Sequence, residues 1–229
     1  LSHMDGISPE EGFPLLLPLL GSDQTPKVRS VAAKTLIRTG GKRAFSLLRE
    51  VMADEKTEAR LRADIIETLI HLSFSEQELE TLQPFLRDPH HRVRANAAGT
   101  LIQAGFSPNL IESGLLTLHD MLTDSASGTN RAAAVSALGR LEHEAFIPVF
   151  ARALGDRDEK VAGQAVAALA HFPTPEILGL LEGFSGKDLP PELEAKTQAE
   201  LDKIRWLTME GVNLLLDALS SAERRELTD

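Results

Sequence analysis

Val28-Arg29-Ser30-Val31-Ala32-Ala33-Lys34-Thr35-Leu36 sets a pattern that the rest of the chain repeats. Reduced to Val-Arg-x-x-Ala-Ala-x-x-Leu, it returns as Leu61-Arg62-x-x-Ile65-Ile66-x-x-Leu69 and as Val93-Arg94-x-x-Ala97-Ala98-x-x-Leu101. Two further copies read Asn130-Arg131-x-x-Ala134-Val135-x-x-Leu138 and Val161-Ala162-x-x-Ala165-Val166-x-x-Leu169. Apolar residues three and four apart form one stripe on a helix. The step between copies, roughly 31 to 37 residues, falls in the range of stacked helical hairpins, each of which buries its core only against its neighbours.

Ahead of each copy lies a second amphipathic segment: Phe13–Leu20, Ala44–Met52, Leu79–Leu86, Leu115–Leu122 and Phe146–Leu154. Each ends at a turn carrying an aspartate, namely Asp23, Asp54, Asp88, Asp124 and Asp156. The unit is therefore helix A, an aspartate turn and helix B. Thr25-Pro26 and Asp88-Pro89 read as N-caps followed by proline at the first helical position, and Ser75-Glu76-Gln77-Glu78 as a capping box. Gly40-Gly41 and Gly105 are expected to stop the first and third B helices, and Pro173 and Pro175 to bracket the end of the fifth.

These boundaries place repeats near 12–40, 41–73, 75–105, 107–141 and 143–172, with a sixth opening at 174–184, so that the array spans 5–184. Residues 1–4, Leu-Ser-His-Met, read as a cloning remnant and 5 onward as a domain excised from a larger protein. The 185–229 segment keeps the phrase only as Leu193-Glu194-x-x-Thr197-Gln198-x-x-Leu201. With a last helix over Met209–Leu219 and a short Ser220–Leu227 segment, it reads as a divergent repeat and a cap whose outer face meets water.

The chain has 229 residues, no cysteine, no tyrosine and one tryptophan. Disulfides, thiolate metal sites and cysteine nucleophiles are excluded, and a reducing cytoplasm is the expected setting. No apolar run approaches the ~18 residues of a membrane span. The net charge of −10 is uneven, about −1 over residues 1–110 and about −9 beyond them. Lys27 to Arg49 carries seven basic residues and no acid. This stretch invites phosphate contact, but an acidic chain with few aromatic platforms makes nucleic acid the weaker expectation.

An aspartate turn, Val-Arg opening helix B, and Ala-Ala then Leu through it resemble HEAT repeats, in the bacterial HEAT-like form of the phycobilisome lyases, over roughly residues 12–184. The resemblance implies an all-α, right-handed α-solenoid of about five to six helical hairpins with a C-terminal helical cap. It also implies a structural ladder in which helix-B arginines bond turn groups of their own or a neighbouring repeat. Carried across, the pairs are Asp23 with Arg29, Asp54 with Arg62, Asp88 with Arg94 and Asp124 with Arg131. Ala162 departs from the pattern, so the ladder is expected to stop there and the packing beyond it to loosen.

Other aligned columns stay open between packing and binding. One residue after the arginine come Ser30, Ala63, Ala95, Ala132 and Gly163; five after it come Lys34, Glu67, Gly99, Ser136 and Ala167. They read either as tight packing of successive B helices or as a shallow groove for a partner helix. Ile37, Ile70 and Ile102 are either core or an apolar strip. Next to them, Arg38, His71, Gln103, Arg140 and His171 stand near helix C-termini, where the helix dipole favours cations. Otherwise they form a polar ridge that meets an acidic partner surface. Trp206 is either a lid over the last repeat or a contact for something beyond it.

HEAT-like hydroxylases hold iron with His-Glu pairs on their repeats; this chain has one such pair, His143-Glu144, in an inter-repeat turn. Recurring ligand spacing, a phosphate loop and a Ser-His-Asp arrangement are all missing from the sequence, so no metal, cofactor or catalytic residue is expected. The expected function is a non-catalytic scaffold or regulatory domain of a larger bacterial protein, binding a protein or peptide through its B helices. The alternatives are an enzyme subunit resembling phycobilin lyases and a HEAT-like nucleic-acid binder.

Overall fold

A computed structural model describes residues 9–207, apart from 22–23, 55, 71, 73–74 and 106, together with residue 213. The expected final helix over Met209–Leu219 and the short Ser220–Leu227 segment thus lie, but for residue 213, outside the described residues. The chain divides into two compact units, Leu1–Thr123 and Asp124–Asp229. Both are all-helical among the described residues.

The first unit runs α1 (Pro9–Leu16), a 3-10 turn (Leu17–Leu20), α2 (Pro26–Ala53), α3 (Ala59–Leu69), α4 (Glu76–Glu80), a second 3-10 turn (Gln83–Arg87), α5 (His91–Ala104) and α6 (Pro108–Thr123). The second runs α7 (Gly128–Gly139), a 3-10 turn (Glu144–Phe146) leading into α8 (Ile147–Ala153), then α9 (Glu159–Leu169), α10 (Pro175–Ser185) and α11 (Pro191–Arg205). Within the first unit α2 packs on α3, α3 on α5 and α5 on α6; within the second α7 and α8 pack on α9, and α9 and α10 on α11.

The repeated phrase supplies the core. Ala32, Ala33 and Leu36, then Leu61, Ile65, Ile66 and Leu69, then Val93, Ala97, Ala98 and Leu101 are all buried, as are Ala134, Val135 and Leu138 of α7 and Val161, Ala165, Val166 and Leu169 of α9. Each fully buried Leu or Ile contributes about 1.5–3 kcal/mol relative to exposure. Alanines in two columns leave room for neighbouring helices to approach. Gly114 of α6 takes this furthest, because a Cβ there would stand 2.8 Å from the Ala98 carbonyl oxygen of α5.

Not every A helix is the expected single segment. The first and third are short α-helices finished by 3-10 turns that contain Pro18 and Pro84, whereas the fifth, α8, runs unbroken over nearly the expected span behind a 3-10 turn. Proline has no N–H to give to an i−4 carbonyl, so the helical hydrogen bonding breaks at Pro18 and Pro84, while Pro148 sits in the first turn of α8, where that N–H has no intrahelical partner to lose. Inside α2 the direction changes at Gly41, with φ 51° and ψ −129°, a conformation closed to side-chain-bearing residues. Helix B of the first repeat thus ends at Gly41 and helix A of the second follows without a loop.

The caps follow their chemistry. Thr25 accepts a hydrogen bond from the Val28 N–H at 3.4 Å, and Ser75 and Glu78 close a capping box. Gly105 ends α5 in the left-handed region at φ 64°. Asp88 corrects the expectation made for it. Helix α5 starts at His91, with His90 in the N-cap position, and Asp88 instead accepts from the His90 N–H at 2.8 Å.

Candidate functional site

The helix-B arginines are committed to the turns. Arg29 donates from Nε to the Leu20 carbonyl at 3.0 Å and reaches Glu58 at 3.4 Å. Arg62 donates to the Thr57 carbonyl and to Asp88, the latter at 3.1 Å from Nε and 3.0 Å from Nη2. Arg94 donates from Nη1 to the carbonyls of Asp88 at 2.8 Å and Pro89 at 2.9 Å. Arg131 donates from Nη1 to the Asp124 carbonyl at 2.8 Å and holds both Asp156 oxygens at 2.7 Å.

The pairing is staggered relative to the one expected. Arg62 and Arg131 each take a backbone carbonyl of their own turn and the aspartate of the following turn, so the carboxylate pairs are Arg62 with Asp88 and Arg131 with Asp156. Asp23 lies outside the described residues. Within its own turn each aspartate accepts a backbone N–H two residues on: Asp54 from Lys56, Asp88 from His90, Asp124 from Ala126 and Asp156 from Asp158. That short local bond leaves Asp88 and Asp156 an oxygen for the arginine of the preceding repeat, whereas Asp124 turns its second oxygen to the Asn130 amide of its own helix B at 2.7 Å. A planar fork with five donors can then join one turn to the next. Arg131 holds the Asp156 carboxyl below its ordinary range, and the hydrogen bond from Asn130 does the same for Asp124.

The columns beside the ladder separate sharply. Ser30, Ala63, Ala95 and Gly163 are buried between helices and offer no groove, while Ala132 is half-buried. Ile37, at 1% exposure, belongs to the core and cannot be a partner contact; it stands four residues after the buried Ala33 and shares its face. Ile70 and Ile102 are half-buried, and Ile102 lies against Gly114 of α6. The expected apolar strip is therefore absent at Ile37 and reduced at the other two.

Lys34, Arg38 and Gln103 stand exposed on the first unit, whereas His71 lies outside the described residues. In the second unit Arg140 is half-buried and donates to the Ser136 hydroxyl at 3.1 Å, while His171 is exposed with Nδ1 3.2 Å from the Gly139 carbonyl oxygen. Trp206 is 55% exposed, so it is not a lid over the repeat that precedes it. His143 is spent on its own turn, accepting the Ala145 N–H at 3.2 Å, and no group of three or more metal-ligating side chains gathers among the described residues.

One cluster escaped the sequence reasoning. Asp64 of α3, only 6% exposed, accepts the Ser30 hydroxyl of α2 at 2.5 Å and an Arg92 Nη2 hydrogen of α5 at 3.0 Å. Arg92 Nη2 also reaches Glu67 at 3.3 Å, and Arg60 Nε lies 4.0 Å from Asp64. Asn96 adds a bond to the Ala63 carbonyl at 2.8 Å. The signal is present in the sequence two residues before each helix-B arginine and before Ala162, where the column reads Lys27, Arg60, Arg92, Thr129 and Lys160. It falls outside the repeated phrase, whose first residue is one position later.

At the start of α5, the His90 and His91 rings stack at 4.4 Å between centroids. Burial pushes both imidazoles below their ordinary 6.5; the facing arginines, Arg62, Arg92 and Arg94 around His90 and Arg92 and Arg94 around His91, add to this, while Asp88 opposes it at His90. The unfolded chain thus binds more protons than the folded one below that value. Stability from the pair is complete above pH 6.5 and is lost as pH falls toward the lower folded values. A His90→Gln/His91→Gln variant should show a flatter loss of urea stability between about pH 7 and pH 5 than the parent. An unchanged slope would remove the pair from the acid response.

The sequence profile described as HEAT repeats matches residues 2–70 and 115–201. A search of curated proteins finds no match. Among solved structures, an engineered protein is similar at 18% identity and a TM-score of 0.43, over 83% of this chain and 95% of that one. Human deoxyhypusine hydroxylase in complex with glycerol is similar at 20% identity and a TM-score of 0.42, over 88% of this chain and 82% of that one. A designed armadillo repeat protein is similar at 19% identity and a TM-score of 0.36, over 84% and 99%.

Proposed function

We propose that this chain, which belongs to the HEAT-repeat family, is a non-catalytic interaction domain that binds a segment of a partner protein through the exposed face of its B helices. The observation that carries this reading is the division of labour among the cations. The ladder arginines are consumed by the turns, whereas Lys34 and Arg38 stand exposed on α2 and, among the described residues, engage no acid. Cations held out from a packed helix with no acid engaged are what a docking surface needs. No described helix is long and apolar enough to cross a membrane, and a chain without cysteine fits a reducing compartment such as the cytoplasm.

Selection from a random peptide library displayed on phage tests the proposal. Peptides recovered by the parent domain should be lost by Lys34→Glu/Arg38→Glu and retained by Glu112→Lys/Asp120→Lys, a reversal on the exposed side of α6. Recovery of no peptide, or equal loss from both variants at unchanged thermal melts, would defeat it.

A further inference from the structure

We infer that the segment bound by the first unit is acidic: an extended polypeptide stretch with carboxylates about three residues apart, lying across α2, α3 and α5. The inference rests on the interaction reading above and gives it a chemistry. Lys27, Lys34 and Arg38 follow one another on α2 at spacings of seven and four residues, which places them on one face. Ser30, on the flank of that face, meets Asp64 of α3, and Arg60 of α3 and Arg92 of α5 converge on the same carboxylate. The three B helices therefore bring their cations to one surface.

Most of that positive charge is uncompensated. Among the described residues no ion pair or hydrogen bond from a side chain engages Lys27, Lys34 or Arg38. Arg60 is 64% exposed and approaches Asp64 only at 4.0 Å, while Arg92 is 41% exposed and bonds Asp64 and Glu67 through the single nitrogen Nη2. The remainder of the Arg92 fork is left for another carboxylate, and its bonds to Asp64 and Glu67 hold it in place beforehand. This concentration occurs on a chain of net charge −10, so the basic face is a local inversion of the molecule's field.

Spacing supplies the length of the ligand. Packed helices lie about 8–10 Å apart, and an extended chain advances about 3.3 Å per residue, so each helix crossed corresponds to about three residues. The face also carries an acceptor, the half-buried Glu67 carboxylate. A polypeptide offers backbone N–H donors to it beside its own carboxylates. The phosphodiester backbone of duplex DNA offers no such donor to Glu67. The mixed surface fits an acidic peptide better than DNA.

The test is fluorescence anisotropy with a labelled peptide of about twelve residues carrying glutamate at about every third position, with serine and glycine between. A lysine-for-glutamate version and a short DNA duplex serve as competitors. The glutamate peptide should bind the parent, more weakly as salt rises from about 50 to about 200 mM. Lys34→Glu/Arg38→Glu and Arg60→Glu/Arg92→Glu should each weaken it by about tenfold or more. Lys34→Gln/Arg38→Gln should give an intermediate loss with an unaltered melt. Preference for the lysine peptide, displacement by DNA, or insensitivity to every one of these variants would overturn the inference. If library peptides depend on Lys34 and Arg38 but show no enrichment of acids, the inference falls and the interaction reading stands. If the library yields nothing and the glutamate peptide does not bind, both fall.

Discussion

Arg131→Ala is expected to lower the stability of the second unit by about 3 kcal/mol, read as a shift in the urea midpoint with little change of slope. Arg131 is 8% exposed and serves the turn twice, through the Asp124 carbonyl at 2.8 Å and both oxygens of Asp156 at 2.7 Å. Removing the guanidinium leaves a largely buried carboxylate without its counter-charge, and the cost of that orphan exceeds the net worth of the pair. Arg131→Ala/Asp156→Ala should therefore recover part of the loss. Arg29→Ala is the contrast: its acidic partner, Glu58, is half exposed and 3.4 Å away, and that ion pair is worth about 0–1 kcal/mol. The acid response gives a second readout. Because Arg131 depresses the Asp156 carboxyl, the stability it confers is complete above the ordinary 3.8 and is lost as pH falls through the lower folded value. The variant should lose stability less steeply below about pH 4 than the parent. An Arg131→Ala protein as stable as the parent, with the same acid limb, would reduce the ladder to decoration.

The different fates of these expectations have a physical order. Helix B was legible because its alanine and leucine columns answer only to burial, and burial acts with helical period wherever the repeat occurs. Helix A was legible as amphipathic but, in the first and third repeats, not as broken, since Pro18 and Pro84 change the hydrogen-bond pattern without disturbing the apolar positions. The ladder's partners could be named from residue type. Their stagger could not, because Asp54 stands eight positions before Arg62 and Asp88 twenty-six after it, and the chain alone does not say which turn folds against that arginine. Asp64 was hidden for a related reason. It occupies a column that holds Val31 before it and Asn96 after it, so no repetition marks it, and its importance comes from helices on either side.

Ile37 and Arg38 make the sharpest separation of fold from binding, because neighbours in sequence should fail in opposite ways. Ile37→Ala empties a site that is 1% exposed, beside Ala33 and Leu36 in the core of the first unit, and should cost about 2–5 kcal/mol. Arg38→Glu alters an exposed side chain that engages no acid among the described residues, and should move stability by no more than about 0.5 kcal/mol. Peptide binding should show the reverse. At a temperature where Ile37→Ala remains folded it should bind as the parent does, because a buried side chain touches no partner. Arg38→Glu should bind measurably worse at an unchanged melt. Titration of both variants beside their urea curves decides the matter. Weak binding by folded Ile37→Ala would mean that the partner reaches into the core between the B helices, and a destabilised Arg38→Glu would return that arginine to the fold.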